Sequence, residues 1–303
     1  MRKVARWTLI GAGSVAAVVV LAAGVLYIKG SVRLNRTYDI AVDAIRTGSP
    51  VDSAISRGRH LAEAVTLCQA CHGETLAGQA IVDEPGIATI YASNLTSGRG
   101  GTGSRYTDAD YVRAIRHGVN PDGRGLMIMH SDAYNNLTET DLAGLIAYVK
   151  SVAPVDNEVP PVRAAILGRI FVGLGLFDME SMPLIPAEVI DHARPVPAGP
   201  LPAVSVEYGR YLVSIAMCRL CHGPDLAGGP PIEEGAPPSP NIAVYGQPGG
   251  WSDEQFMNTL RSGVTPYGKT LNGEAMPWEV YRRMTDDELM AVWSYVKTVG
   301  EDG

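Results

Sequence analysis

Two hydrophobic patterns alternate with polar stretches along this chain. The first is a run without charge or polar face from Trp7 to Ile28, entered by Arg2, Lys3 and Arg6 and closed by Lys29. As a helix it would cover about 33 Å, the depth of a bilayer core. A cleaved signal peptide has a shorter apolar region ending at small residues. Small residues do stand at 22–24, but the apolar run continues past them. Residues 1–33 therefore read as an uncleaved membrane anchor with its flank, and a removed signal is the alternative. Basic residues on the leading side put the N-terminus in the cytoplasm. The expected location is the cytoplasmic membrane, single-pass, with the body on the periplasmic or extracytoplasmic side.

The second pattern is amphipathic and occurs twice. Leu142, Leu145, Ile146 and Val149 follow one another at i, i+3, i+4 and i+7, as do Leu289, Val292, Trp293 and Val296. This spacing predicts a helix with one buried stripe. Thr138 with Asp141 and Thr285 with Glu288 supply start signals. Thr107/Asp110 and Ser252/Gln255 open a second helix in each copy. A third helix carries Gly58 in one copy and Gly209 in the other. A glycine there lowers helix stability unless something needs close approach, and Tyr148 and Tyr295 are the candidates to fill that notch.

The copies extend further. "RGRHL" (57–61) answers "YGRYL" (208–212), "SNLT" (93–96) answers "PNIA" (240–243), and "YTDADYVRAIRHGV" (106–119) answers "WSDEQFMNTLRSGV" (251–264). Blocks kept in one order indicate a tandem duplication, with units near 51–154 and 204–303. The linker, 155–203, is Pro-rich at both ends. Its apolar middle, 164–177, predicts a short helix packed between the units, with a membrane-surface or partner contact as the alternative. Gly- and Pro-rich stretches at 73–104 and 223–250 are too long for structureless loops unless they wrap something.

Composition adds two constraints. Hydrophobic residues make up 46% and charged residues 19% of 303 positions, which suits folded protein and excludes wholesale disorder. Residues 1–33 hold five Lys or Arg and no acid, so the remainder carries −12, with 20 basic residues against 32 acidic. That sign argues against nucleic acid as a partner. Aromatic content is only 7%, a hint that a group from elsewhere fills part of the interior.

The chemistry lies in "CQACH" (68–72) and "CRLCH" (218–222). A zinc ribbon needs two CxxC knuckles about 15–20 residues apart, whereas these lie in separate copies. A CxxC disulfide closes too small a loop to stabilise much, and a redox-active one wants a βαβ setting. Covalent haem c uses every cysteine: Cys68, Cys71, Cys218 and Cys221 each add to a porphyrin vinyl group, and the next residue turns an imidazole onto the iron. That reading calls for two haems c, and for export.

With these motifs in register, the chain resembles the class I c-type cytochromes, and more closely the membrane-anchored dihaem proteins with two such domains in tandem. The resemblance covers the two units but neither anchor nor linker. It implies an all-α fold: two helical domains wrapped around covalent haems, plus the N-terminal transmembrane helix. It implies His72 and His222 as proximal iron ligands and a methionine before the last helix as distal ligand, typically written "MP". Met276 in "AMPWEVY" fits, and Met129 holds the matching place in "MIMHSDAY", with Met127 and His130 as alternatives. His60, His117 and His192 lack repeat support and read as packing or surface residues. Arg116 and Arg261 recur in register, as do Asn94 and Asn241. The arginines would hold a propionate or cap nearby backbone, and Trp251, facing Tyr106, would bound the haem pocket.

A His/Met iron has no open position, which leaves one-electron exchange at fairly high potential. The implied role is a non-catalytic electron carrier between redox partner proteins of a respiratory or photosynthetic chain, or a subunit serving a dehydrogenase. A dihaem peroxidase-like enzyme is the alternative.

Overall fold

The computed structural model describes residues 2–42, 45, 52–178, 182–231 and 237–300, without the side chains of Arg2, Lys3 and Ala5. The boundary at Val51, residues 301–303, parts of the linker (179–181) and of the second wrapping stretch (232–236), and the leading charges Arg2 and Lys3 lie outside the described residues.

Helix α1 spans Arg2–Leu34. Within it, Arg6–Leu34 has a mean hydropathy of 2.4 over its best window, none of which is buried by the rest of the fold. Unit 1 then contributes α2 (Asp52–His60), which runs into a wider turn at Leu61–Val65, α3 (Cys68–His72), α4 (Asp108–His117), α5 (Ser131–Tyr134) and α6 (Glu139–Ser151). The linker carries α7 (Ile166–Leu174). Unit 2 repeats the series as α8 (Val206–Ile215), α9 (Cys218–His222), α10 (Asp253–Ser262), α11 (Trp278–Tyr281) and α12 (Asp286–Val296).

The start signals act as caps. Thr107 with Asp110, Ser252 with Gln255 and Thr285 with Glu288 close reciprocal capping boxes, which satisfy N–H groups that a helix leaves orphaned. Thr138 accepts from the Asp141 N–H, while the Asp141 carboxylate accepts from Arg57 and from the Tyr211 hydroxyl at 2.6 Å.

The glycine notches correct one expectation. A Cβ on Gly58 would stand 1.9 Å from the Gly144 carbonyl oxygen, and one on Gly209 would stand 1.9 Å from that of Ala291. Helix backbone fills both notches, so α2 crosses α6 and α8 crosses α12 at close range. Tyr295 adjoins the second notch through its Cβ, and Tyr148 instead donates from its hydroxyl to Glu63.

A small sheet is added to the helical plan. β1 (Ala80–Glu84) pairs antiparallel with β2 (Ala88–Tyr91), Val82 opposite Ile90, and β2 pairs with β3 (Arg163–Ala164). The hairpin lies inside the first long loop stretch and gives its backbone partners.

The two units share one hydrophobic core, from Leu61, Leu142 and Ile146 to Leu212, Leu289 and Trp293. They meet through duplicated positions. Arg57 and Tyr208 correspond, as do His60 and Tyr211, and Asp141 and Glu288. Across the junction Arg57 donates to Glu288 at 2.9 Å, His60 Nε2 contacts Glu288 at 2.6 Å, and Tyr211 donates to Asp141. Glu288 is 3% exposed and Tyr208 1%. Glu288, Asp141, Tyr208 and Tyr211 are buried and Arg57 and His60 half-buried, each with partners, as burial requires. The linker helix does not pack between the units as expected. α7 lies against α1 and the β1–β2 turn, with Gly168 facing the Ile87 carbonyl and Gly173 that of Leu26.

Candidate functional site

Both CxxCH segments are single helical turns entered through a left-handed residue, Leu67 (φ 54°) and Met217 (φ 58°). Side chains rarely adopt that conformation, so something must hold each entry. In both units a buried tyrosine from the helix after the candidate distal methionine does so. Tyr134 donates to the Thr66 carbonyl, and Tyr281 donates to the Ala216 carbonyl at 2.6 Å. The tyrosines sit in register in the repeats, so the signal was present; the role was not legible, because its acceptor is main chain.

The histidines are oriented alike. His72 Nδ1 lies 2.8 Å from the Ser93 carbonyl oxygen and His222 Nδ1 2.8 Å from that of Pro240. A carbonyl only accepts, so Nδ1 carries the proton and Nε2 keeps a lone pair for a metal. Burial lowers the affinity of both imidazoles for a further proton, which keeps that lone pair free. The in-register asparagines stand next to these acceptors. Asn94 accepts from the Thr96 N–H and donates to the Val155 carbonyl, and Asn241 accepts from the Ala243 N–H. They shape the loops that present the acceptors.

No disulfide joins any of the four cysteines. Burial pushes Cys68 up to about 11 and Cys218 to about 12, and raises Cys71 and Cys221 as well. A thiol that burial keeps protonated is a poor thiolate ligand for a metal.

Met129 and Met276 both pack on the shared core, together with Leu67, Cys68 and Cys218. Met127 packs elsewhere, on a second cluster of Val119, Val172, Leu184 and Ile185. Between the two methionines Ile128 takes φ 61°, an uncommon state for a β-branched residue, and donates its N–H to Leu184. His130 stands at the N-cap position of α5 without a side-chain hydrogen bond to that helix, and burial lowers its proton affinity.

The remaining histidines and arginines serve packing. His117 and His192 meet through their Nδ1 atoms at 3.1 Å, and His60 belongs to the junction described above. Arg116 donates to the Arg194 and Pro195 carbonyls. Arg261 donates to the Arg282 and Met284 carbonyls and to Asp286 at 2.6 Å. These contacts fit the backbone-capping role expected of the arginines.

These residues fit a porphyrin with carboxylate arms. In unit 2 the indole N–H groups of Trp251 and Trp278 are buried without a protein partner among the described residues, although such groups find an acceptor in nearly every fold. Each unit also offers two cysteines, one oriented imidazole and one thioether, with Cys68, Cys218, Met129 and Met276 packed on the same core.

The cytochrome c family model matches residues 55–153 and 206–300. Among curated proteins the chain is 31% identical to a fructose dehydrogenase cytochrome subunit from Gluconobacter japonicus, over 81% of this chain and 52% of that one. It is 30% identical to an alcohol dehydrogenase (quinone) cytochrome c subunit from Gluconacetobacter polyoxogenes, over 88% and 62%. It is 27% identical to a gluconate 2-dehydrogenase cytochrome c subunit from Pantoea cypripedii, over 82% and 60%. The chain spans about half to three fifths of the length of these relatives. All are cytochrome subunits of dehydrogenases, and the peroxidase alternative finds no support among them. Two such domains imply two covalently bound haems c. The chain belongs to the cytochrome c family.

Proposed function

We propose that this chain is the electron-transfer subunit of a membrane dehydrogenase and hands electrons from that enzyme to an acceptor at the membrane. The observation that carries the reading is the repetition of one site in each unit, set in relatives whose names are those of dehydrogenase cytochrome subunits. The bound haems supply one-electron exchange between ferric and ferrous iron. Everything else is the work of the chain. Cys68 and Cys71, and Cys218 and Cys221, would tether each group through thioethers. His72 and His222 would present Nε2 to the iron, with the Ser93 and Pro240 carbonyls holding the tautomer. Met129 and Met276 would supply a soft sulfur to the iron, which would favour the reduced state and exclude substrate from the metal.

The packing supports Met129 over Met127, whose side chain lies in the second cluster. The buried Trp251 N–H would donate to a propionate. The shared core and the buried polar junction keep the two sites at a fixed separation, which a relay requires. Helix α1 serves as the anchor, with its leading charges in the cytoplasm and the two units on the periplasmic side of the cytoplasmic membrane.

Copurification tests the reading. From solubilised membranes the tagged full chain should carry a flavin-, quinone-cofactor- or molybdenum-containing dehydrogenase, and the substrate of that enzyme should reduce both haems. A chain recovered alone, whose haems no copurifying enzyme reduces, contradicts it.

A further inference from the structure

We propose that the linker segment 166–177 is a second membrane-contacting element, seated in the outer interface of the bilayer beside α1. The inference rests on the anchor reading of α1 and deepens it.

The contact between the two helices is built from small residues. A Cβ on Gly30 would meet the Arg169 carbonyl oxygen at 1.9 Å, and one on Gly173 would meet that of Leu26 at 2.1 Å. Such notches let helix backbones approach closely, as helices do in lipid. Earlier residues of α7 meet later residues of α1, so the two run in opposing senses. The crossing falls where the apolar run of α1 ends, close to Ile28 and Lys29. α7 is thereby held at the level of the headgroups and the first acyl carbons, with its C-terminal end directed toward the apolar stretch. Arg33 fixes the base of this arrangement, pairing with Asp178 and with Glu188 at 2.6 Å.

The remaining face of the segment is apolar and exposed. Ile166 is 70% exposed, Leu174 51% and Leu176 62%. Leu167 and Phe177 are exposed as well, as are Val25 and Ile28 on α1 beside the Leu26–Gly173 approach. Val172 points the other way, into the second cluster. A face of this kind, continuous with a membrane span, belongs with acyl chains. Its surroundings suit a headgroup layer. The Arg169 guanidinium lies 6.0 Å from the Tyr27 ring centroid, and Lys29, Arg36 and Arg163 are exposed nearby. Tyr with Lys and Arg at this depth is the composition of an interfacial belt, and the cations favour anionic phospholipid.

The test uses the haem-loaded full chain in nanodiscs of neutral and anionic phospholipid containing a diazirine-bearing acyl chain. Photolysis marks residues that touch acyl chains, and peptide mass spectrometry reads the marks. The expected result is label on α1 and on the peptide covering 166–177, with none at the exposed Tyr245 and Tyr267 of unit 2. Leu174→Glu, a change at an exposed position, should lower the label on that peptide severalfold and leave α1 labelled. Label confined to α1 overturns the proposal and spares the anchor. Label on neither removes the anchor reading, and the proposal with it.

Discussion

Tyr281 donates to the Ala216 carbonyl at 2.6 Å and so ties the helix after Met276 to the backbone just before Cys218. Tyr134 makes the same bond to Thr66 in unit 1. A single buried hydroxyl thus links the candidate distal segment to the proximal one in each copy. Tyr281→Phe leaves the ring and strands the acceptor, a loss of about 1–3 kcal/mol. Denaturant midpoints should fall accordingly. The ferric methionine–iron absorbance of the second haem should weaken, and Tyr134→Phe should do the same to the first.

The polar junction between the units predicts an acid limit to stability. Burial alone would raise the Glu288 carboxyl, but His60, the Thr285 N–H and Arg57 outweigh it and hold the group down at about 2, against an ordinary 4.5. A depressed carboxyl stabilises the fold fully above the unfolded value and loses that contribution as pH falls toward the folded one. Unfolding free energy should therefore drop by on the order of 3 kcal/mol between about pH 4.5 and 2. In Glu288→Gln that part of the pH dependence should vanish. Arg57→Ala leaves two buried carboxylates without their shared partner and should cost about 3–5 kcal/mol at neutral pH.

Gly58→Ala separates two opposing effects. Helix propensity alone would make alanine better by about 1 kcal/mol. The added Cβ would stand 1.9 Å from the Gly144 oxygen, so α2 and α6 must part, and overpacking of this kind costs about 1–3 kcal/mol. A lowered melting temperature is expected, and Gly209→Ala should behave the same way against Ala291.

Much of this was legible in the sequence, and the remainder has a physical pattern. The caps at Thr107, Ser252 and Thr285 and the stripes on α6 and α12 follow local rules, and the duplication doubled each signal. The hairpin at 80–91 escaped because its strands are short and its loop is rich in Gly and Pro. The partners of α7 could not be read, because an apolar stripe does not say which surface covers it. Tyr148 was expected at the Gly58 notch, but Gly144 allows backbone to fill it. The pairs His60–Glu288 and Tyr211–Asp141 join residues 228 and 70 positions apart, a distance at which no spacing rule operates. Ser93 and Pro240 act through carbonyls, which carry no side-chain signature.

Met127 and Met129 point into different clusters on either side of Ile128, which gives their variants different signatures. Met129→Ala should open the first iron to carbon monoxide and remove about half of the methionine–iron absorbance. Met127→Ala should leave the spectrum unchanged and reduce stability by about 2–5 kcal/mol through the cavity it creates.

The central claim is that each CxxCH holds a haem whose iron is closed by methionine, and the most direct measurement is a redox-titrated optical spectrum of the purified full chain with a carbon monoxide challenge. The account predicts two low-spin c-type haems per chain, a methionine–iron band of two-haem intensity in the ferric form, and a ferrous form inert to carbon monoxide. A colourless chain, or ferrous haems that both take up carbon monoxide readily, would contradict it.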